Sequence, residues 1–489
     1  MRNWNLVKAS VAGILCWAFL GTGLLATPTA SAQEFIDEDT TPDLPEVPRV
    51  KREKIHDTNL LLIVVDGLRA DHLGTYGYDR PTSPAIDALA KEGVVFERAY
   101  MAAANPIPAL TSLLTSTWSC EHGMLNAKSQ LARARFPITQ RYHEAGLNPL
   151  LLTSSVYSYA VPPIGRAFKE TVVGAPINGQ SVDDVLTKQA QRPFLLMIHK
   201  TETSVPHLSA PEHTAGFKDV PQAVRDELAA RLAQLAPKKK AGGRSDESDD
   251  KTPATGLEDI AAECVELYDS SVRLVDDHVA SIIAALKEQG EWDNTLVVLT
   301  SDHGFGLGEH GEWYRGDGPY DELIHVPLII RFPQSKFAGK RVSETVCQTD
   351  LLPTLNAALK LKGATANYNV RGRDLMPLVK GQELPGADDF MVTTIRMNPR
   401  KLITPAQRAR GHVSVVAFYG PWKGIWHREP GTLELYNLDD DPGEQNDVAE
   451  SNPELTLAMK AFARLWRADC SDKAPMRIRQ RPQMKRLNR

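Results

Sequence analysis

Two apolar runs, each leading to an acidic residue, constrain the fold of this 489-residue chain more than any other feature. The first spans residues 59–65 (NLLLIVV) and is followed by Asp66, and the second spans 295–300 (TLVVLT) and leads to Asp302. Continuous apolar runs of this length are typical of strands that are buried on both faces of a parallel sheet. The sequence therefore predicts an α/β fold in which the two runs are neighbouring core strands.

The surrounding segments predict a mostly parallel central sheet flanked by helices. Residues 82–100 predict a helix and then a strand at the sheet edge, and 257–290 carry apolar residues at helical spacing and end at a glycine, as helices often do. Between them, the charged low-complexity stretch 237–256 predicts an inserted loop. The main α/β domain is expected to span 57–384.

A smaller C-terminal α+β subdomain is expected over residues 385–489. The runs 412–427 (HVSVVAFYGPWKGIWH) and 433–438 (LELYNL) combine apolar-polar alternation with turn residues, which predicts antiparallel strands. Residues 454–468 predict a helix, and the chain closes in a basic tail.

The first 32 residues are typical of a secretion signal. Arg2 and Lys8 precede an apolar run, and residues 30–32 (ASA) have the small-x-small pattern of a signal-peptidase site. The acidic, proline-rich stretch 33–56 then predicts a tether. We expect an exported protein, periplasmic or extracellular. The alternative is an uncleaved N-terminal membrane anchor, because the apolar run is near the shortest length that spans a bilayer.

The net charge and the cysteines limit the classes of partner, metal site and disulfide that the chain is expected to have. The net charge of −5 gives no reason to expect a nucleic-acid partner, and no integral membrane span remains if the signal is cleaved. Four cysteines follow the signal, and no C-x-x-C spacing indicates zinc. An exported chain can oxidise them, with three pairings open among Cys120, Cys264, Cys347 and Cys470.

The acidic residues after the two runs stand where open α/β sheets bind ligands, at the carboxyl ends of strands. Asp66 precedes Gly67, and Asp302 precedes His303. Two carboxylates with one imidazole predict a metal site at this edge of the sheet. From its own stretch alone, Asp66 could instead cap the next helix.

Several segments, in order, carry a resemblance to a known family. They include LLLIVVDGLRADHLGTYGY, PALTSLLTS, NTLVVLTSDHGFGLGEHGEWYRGDGPYDELIHVPLIIRFP and LELYNLDDDPGEQNDVAE. Over nearly its whole mature length the chain resembles the sulfatases of the alkaline phosphatase superfamily. The resemblance implies an alkaline phosphatase-like fold, sulfuric ester hydrolysis, and a calcium or magnesium ion held by Asp66, Asp302 and His303.

The chain departs from the family at the nucleophile. Sulfatases carry a Cys or Ser that is oxidised to formylglycine, and its place here is taken by Pro106, so formylglycine is not possible at this position. The arginine that often follows is replaced by Leu110, and a family lysine is absent at Ser154. Many sulfatases also carry a second metal-binding aspartate directly after the first, and Gly67 takes its place here. Asp71 is a candidate ligand by proximity alone, and holding the turn of its loop is the alternative.

The resemblance assigns three further residues to the anion or leaving group. His207 matches a family histidine if three residues are inserted, whereas Ser204 occupies that place without a gap. Arg315 matches a family lysine and keeps its charge. His310 lies in the GEHG motif and could face the leaving group or hold its loop in place.

Two functions of different classes remain open. One is an exported hydrolase of a sulfate- or phosphate-ester small molecule or glycan, with a different nucleophile. The other is a catalytically inactive pseudo-sulfatase that acts as a binding or structural module, because function depends on the site rather than on the fold.

Overall fold

A computed structural model describes most of the chain between residues 58 and 469. The predicted signal 1–32, the tether 33–56 and the insertion 237–256 lie outside the described residues. The described residues are 58–124, 139, 142–143, 147–154, 168, 170–173, 177–188, 193–203, 217, 220–235, 258–311, 313–314, 318–361, 370–384, 391–396 and 413–469.

A mixed, mostly parallel sheet of eight strands forms the centre of this structure. The strands of the main domain are β1 (Asn59–Val65), β2 (Val94–Tyr100), β3 (Asn148–Thr153), β4 (Glu170–Val173), β5 (Phe194–Lys200), β6 (Thr295–Ser301), β7 (Gly306–Leu307), β8 (Trp313–Tyr314), β9 (Leu328–Arg331) and β10 (Lys340–Cys347). The order in the large sheet is β10-β2-β9-β6-β1-β5-β3-β4, and β7 pairs with β8 in a separate small ribbon. Within the large sheet, β9 runs antiparallel to β2 and β6, and the other pairs are parallel.

The predicted pairing of the two apolar runs is confirmed. β1 and β6 are parallel neighbours from Asn59 opposite Thr295 to Val65 opposite Ser301. Alternate residues of β1 enter two different apolar clusters, one on each face of the sheet. This two-sided burial is the reason why the run is apolar without alternation. The prediction of β2 as an edge strand is wrong, because β10 covers its outer side.

Helices cover both faces of the sheet. The longest one ends where the sequence predicts, since Gly290 just beyond it has a φ of 71°. Among the described residues, no helix has both the length and the apolar content that crossing a membrane requires. The helices are α1 (Pro84–Glu92), α2 (Pro106–Thr115), α3 (Ser119–His122), α4 (Gly179–Lys188), α5 (Gln222–Leu235), α6 (Ala261–Glu288), α7 (Asp321–Ile324), α8 (Leu351–Ala358), α9 (Met376–Val379) and α10 (Pro453–Asp469).

The predicted C-terminal strands and helix form a second, antiparallel sheet with one helix packed on it. The strands β11 (Met391–Arg396), β12 (Val413–Tyr419), β13 (Trp422–His427) and β14 (Leu433–Asn437) pair in chain order. Gly424 on β13 permits close packing of α10, because a Cβ there would lie 2.9 Å from Met459 Sδ.

The structure reduces the number of possible disulfide pairings. Cys120 takes part in a disulfide, whereas Cys264 and Cys347 are buried free thiols. The remaining cysteines, Cys16 and Cys470, lie outside the described residues. Pairings that involve Cys264 or Cys347 are therefore excluded.

Candidate functional site

Asp66, Asp302 and His303 converge at the carboxyl edge of the central sheet, as predicted. Each offers one ligand atom, and these atoms all lie within 4.8 Å of one another. The three side chains are buried, with relative exposures of 4%, 0% and 1%. The cause is the register of β1 and β6, which places Val65 beside Ser301 and so brings together the residues that follow them.

The chemistry of this donor set fits a divalent cation. His303 Nδ1 lies 2.6 Å from the Gly304 carbonyl oxygen, which only accepts, so Nδ1 carries the proton and donates. The Nε2 lone pair is thereby left towards Asp66 Oδ1, 3.3 Å away. Two carboxylates buried together repel each other unless a positive charge lies between them. A histidine held by a carbonyl through its other ring nitrogen is common at metal sites.

Ser301 joins the two strand ends directly. Its Oγ accepts the backbone N–H of Leu68 at 3.0 Å and lies within hydrogen-bonding distance of the carbonyl oxygens of Val65 and His303. Its single proton can donate to either carbonyl. A short hydroxyl side chain therefore sets the spacing between the Asp66 loop and the Asp302 loop.

His199 is a site residue that the sequence interpretation missed. It is the penultimate residue of β5, which pairs with β1 on the side opposite β6. The ring is 1% exposed, and its Nε2 lies 3.3 Å from Asp302 Oδ2. The signal available in the sequence was a histidine near the carboxyl end of a predicted strand, at 192–203.

Asp71 lies outside the cluster of Asp66, Asp302 and His303 and pairs with Arg69. The Arg69 guanidinium donates to both Asp71 oxygens, at 2.9 and 2.7 Å. It also donates to the Phe305 carbonyl at 3.0 Å and to Glu309 at 2.8 Å. Burial alone would raise the pKa of Asp71, but the charge and hydrogen bonds of Arg69 lower this pKa well below its usual value. These contacts correspond to the alternative role for Asp71, which is to hold its loop.

Pro106 is the first residue of α2, with Asn105 at the N-cap. Pro106 and Pro108 have no N–H, and the Ala109 N–H bonds to the Asn105 carbonyl at 2.9 Å. Of the first three helical residues, only Ile107 therefore has a backbone donor. A helix N-terminus binds anions through such donors, so anion binding at the N-terminus of α2 is expected to be weak.

The hydroxyl groups of α2 are engaged within the protein. Thr111 Oγ1 donates to the Ile107 carbonyl at 2.7 Å, and Thr115 Oγ1 donates to the Thr111 carbonyl at 2.6 Å. Both side chains are buried. Their hydroxyls serve the helix backbone and are not aimed at an external substrate.

Ser112 pairs with a histidine, but the direction of the bond is unsuitable for catalysis. Ser112 Oγ lies 3.0 Å from His122 Nε2, and the Met124 backbone N–H donates to His122 Nδ1 at 3.0 Å. Since Nδ1 accepts, Nε2 carries the proton of a neutral ring and donates to the serine. His122 is thus not a general base for Ser112. Leu110, at the family arginine position, is 1% exposed in an apolar cluster.

His310 links its loop to the C-terminal subdomain. Nδ1 lies 3.0 Å from Glu322 Oε1, and Nε2 lies 3.0 Å from the Glu444 carbonyl oxygen. The ring also stacks on Tyr320, with centroids 3.8 Å apart. Burial lowers the pKa of His310, but the hydrogen bond and charge of Glu322 outweigh it and raise this pKa above its usual value. Two acceptors around one ring favour the imidazolium form and a loop-holding role.

We predict that His310→Gln destabilises the protein more in acid than in alkali. The folded-state pKa is raised, so the stabilisation is full below the unfolded pKa and is lost as pH rises through the folded value. Hydrogen bonds to charged groups contribute roughly 1.5–3 kcal/mol, so a loss of that order is expected at about pH 5.5. Urea unfolding of wild type and variant across pH measures it. A loss that grows with rising pH would contradict the imidazolium assignment.

The other two predicted anion-binding residues, His207 and Arg315, lie outside the described residues.

Comparison with known proteins identifies one family. The sulfatase family model matches residues 58–159 and 178–361, and the model of the N-sulphoglucosamine sulphohydrolase C-terminal region matches 308–469. Two curated relatives come from Bacteroides thetaiotaomicron. The chain is 21% identical to an N-acetylglucosamine-6-O-sulfatase over 515 residues, which covers 88% of this chain and 90% of the relative. It is 23% identical to a Delta 4,5-hexuronate-2-O-sulfatase, with coverage of 80% and 84%.

The fold is also similar to that of a solved structure, the phosphonate monoester hydrolase of Agrobacterium radiobacter. The TM-score is 0.64 at 22% identity, and the match covers 85% of this chain and 96% of that one.

Proposed function

Because this chain belongs to the sulfatase family, we propose that it is an exported pseudo-sulfatase: it binds a divalent cation and an anionic ester but does not hydrolyse the ester. The observation that carries this proposal is Pro106 at the first position of α2. Proline has no hydroxyl, thiol or N–H, so it supplies neither an attacking atom nor a donor to the anion.

The contacts around α2 support the loss of turnover. The hydroxyls of Thr111, Ser112 and Thr115 are buried and hydrogen-bonded inside the protein. None of these three hydroxyls is therefore placed to replace the missing nucleophile. Leu110 packs in the apolar core where a family arginine would otherwise assist anion binding.

We propose that Pro106 lies at the mouth of the cleft that holds Asp66, Asp302 and His303. The segment leading to α2 and the loop after His303 both bond to α7. Met101 N donates to the Ile324 carbonyl at 3.1 Å, and Gly304 N donates to the Leu323 carbonyl at 2.9 Å. His207 and Arg315 are proposed to complete the anion site.

The proposed ligand is a sulfated or phosphorylated small molecule or glycan. Support comes from the relatives, whose names specify sulfatases of N-acetylglucosamine and of an unsaturated hexuronate. Export is supported by the signal-like first 32 residues and by the disulfide of Cys120, because disulfides persist in oxidising compartments.

The second candidate is a sulfate- or phosphate-ester hydrolase with a different nucleophile. It is favoured by the retained cluster of Asp66, Asp302 and His303, which can hold a Lewis-acidic ion. Calcium or magnesium is the ion that family resemblance implies.

Turnover assays of the purified mature protein distinguish the two candidates. We expect hydrolysis of aryl sulfate, aryl phosphate and aryl phosphonate, with calcium, magnesium, manganese or zinc, to stay at the rate of a chelated sample. The matched control is Asp302→Asn, in which any remaining activity reports a contaminant. Metal-dependent hydrolysis that Asp302→Asn abolishes would overturn the pseudo-sulfatase proposal and establish the second candidate.

A further inference from the structure

We infer that Cys120 and Cys470 of one chain form a disulfide, and that this bond fastens the C-terminal subdomain to α3, the short helix that follows α2. The bond is a covalent modification, and it depends neither on the candidate metal site nor on turnover. Cys470 itself lies outside the described residues, and the observations that point to it come from the described cysteines and from α10.

The bonding states of the described cysteines leave few partners for Cys120. Cys120 takes part in a disulfide, whereas Cys264 and Cys347 are free thiols. The chain has five cysteines, so the partner within the chain is Cys16 or Cys470. Cys16 lies in the apolar run of the predicted signal and is lost when that signal is cleaved. In the mature chain, Cys470 is then the remaining partner.

An aromatic contact brings α10 to α3. The ring centroids of Trp118 and Trp466 are 5.2 Å apart, and the rings meet edge to face at 90°. Trp118 is the N-cap residue of α3, two positions before Cys120. Cys120 and Trp466 also pack against the same apolar cluster. The last turns of α10 therefore lie beside the segment that carries Cys120.

The place of residue 470 in the sequence agrees with this contact. α10 ends at Asp469, so Cys470 follows it directly and is four positions after Trp466. Side chains four positions apart on a helix share one face, with Cβ atoms about 5–6 Å apart. A disulfide joins residues whose Cα atoms are about 4.4–6.8 Å apart. At the spacing of α10, the Cys470 thiol is expected on the helix face that contacts α3, where it can bond to Cys120.

Burial keeps the two free thiols out of disulfide exchange. Cys264 and Cys347 are buried, whereas Cys120 is only partly buried. Burial raises the pKa of Cys264 to about 11 and that of Cys347 to about 12. The thiolate is the form that attacks a disulfide, so neither cysteine competes for Cys120.

The bond joins the two units of the fold at the end of α10. Along its length, α10 packs on the C-terminal sheet through Leu455, Met459 and Ala463. Trp466 packs against this cluster and also against the cluster that contains Ala109 of α2. A disulfide just beyond Trp466 therefore holds the C-terminal end of α10 against the α2–α3 segment.

Formation of the bond requires an oxidant, for which a thiol oxidase of the exported compartment is the chemical class. One thiolate of the chain attacks the disulfide of the oxidase, and the second thiolate then displaces the oxidase from the mixed disulfide. Two electrons and the two thiol protons of the chain pass to the oxidase, whose disulfide becomes a dithiol. The link between the two units is therefore expected to become covalent only after export.

Peptide mapping of the full mature protein tests the pairing directly. The protein is purified from an oxidising compartment without reductant, its free thiols are alkylated in denaturant, and the chain is digested with trypsin. We expect the peptide 99–128, which contains Cys120, to be joined to the peptide 468–473, which contains Cys470. Reduction should release both peptides, and Cys264 and Cys347 should carry the alkyl group.

Thermal unfolding with and without reductant measures what the bond contributes. We expect Cys470→Ser to lower the melting temperature by about 3–8 °C, because loss of a native disulfide releases a long loop of the unfolded chain. Cys120→Ser and the double variant should melt close to Cys470→Ser, because all three lose the same bond. Reductant should lower the melting temperature of wild type to that of the variants. Cys470→Ser is the matched control, and its melting temperature should not respond to reductant.

The outcomes separate an intrachain bond from its alternatives. A wild-type chain that is monomeric on a non-reducing gel and yields the joined peptides supports the inference. A reducible dimer would show that Cys120 pairs with a second copy and would overturn it. Alkylation of both Cys120 and Cys470, or a link from Cys120 to Cys16, would also refute it. The wild-type peptide map decides the pairing even if a serine variant misfolds, and no result here bears on metal binding or hydrolysis.

Discussion

Replacement of Lys423 by methionine is expected to lower the free energy of unfolding by about 3–5 kcal/mol, the usual cost of leaving buried charges without their partner. Lys423 is fully buried, and its Nζ lies 2.6 Å from Asp321 Oδ1 and 2.7 Å from Glu444 Oε1. The cluster connects α7, next to the loop that carries Asp302 and His303, with the C-terminal sheet. Methionine fills similar space but neutralises neither carboxylate.

The loss should be larger in alkali than in acid. Burial, followed by the charge of Asp321, raises the pKa of Glu444 to about 8 despite the opposing effect of Lys423. A raised carboxyl pKa stabilises the fold fully below the unfolded pKa, and this stabilisation is lost as pH rises through the folded value. At high pH, both carboxylates of the variant are charged and lack their cation, so stability falls furthest there.

Urea unfolding at several pH values measures this, with Lys188→Met as the matched control. Lys188 pairs with Asp184 one helical turn away, and both side chains are largely exposed. Exposed pairs of this kind contribute only about 0.3–0.5 kcal/mol. Equal effects of the two substitutions would refute the idea that the buried cluster stabilises the contact between the two sheets.

Restoring the family nucleophile is expected to recover little activity. In Pro106→Cys, co-expressed with the enzyme that forms formylglycine, we expect aryl sulfate turnover at least about 10³-fold below that of an active sulfatase, because groups that act as a unit fail together. Leu110 is buried in the apolar core and provides no guanidinium, and Ser154 bonds to Thr201 at 2.8 Å where the family has a lysine. The anion would still lack cationic partners at both places.

Peptide mass spectrometry verifies conversion of the cysteine, and Pro106→Ala is the matched control. Alanine returns a backbone N–H at the first position of α2 but no nucleophile, so vanadate should bind a few-fold more tightly than to wild type while turnover stays at background. Turnover of converted Pro106→Cys within tenfold of an active sulfatase would show that the rest of the site is intact.

The sequence alone was sufficient to predict the core strands, the acidic residues at the ends of two of them and the family. Strands β1 and β6 are predictable because burial on both faces demands a continuous apolar run, which is a local property. The convergence of Asp66 with Asp302 and His303 follows once those strands are neighbours, since parallel strands end at one edge. The absence of a cysteine or serine at position 106 is equally visible in the sequence, and proline lacks the atoms that formylglycine formation requires whatever surrounds it.

The tertiary structure decided which polar groups meet. Asp71 is five residues from Asp66 but bonds to Arg69, so proximity in sequence did not decide its role. His199 reaches Asp302 only because β5 lies beside β1, 103 residues away from that aspartate in sequence. His310 likewise donates hydrogen bonds to residues 12 and 134 positions away. Such contacts depend on strand order and loop packing, and no local periodicity encodes them.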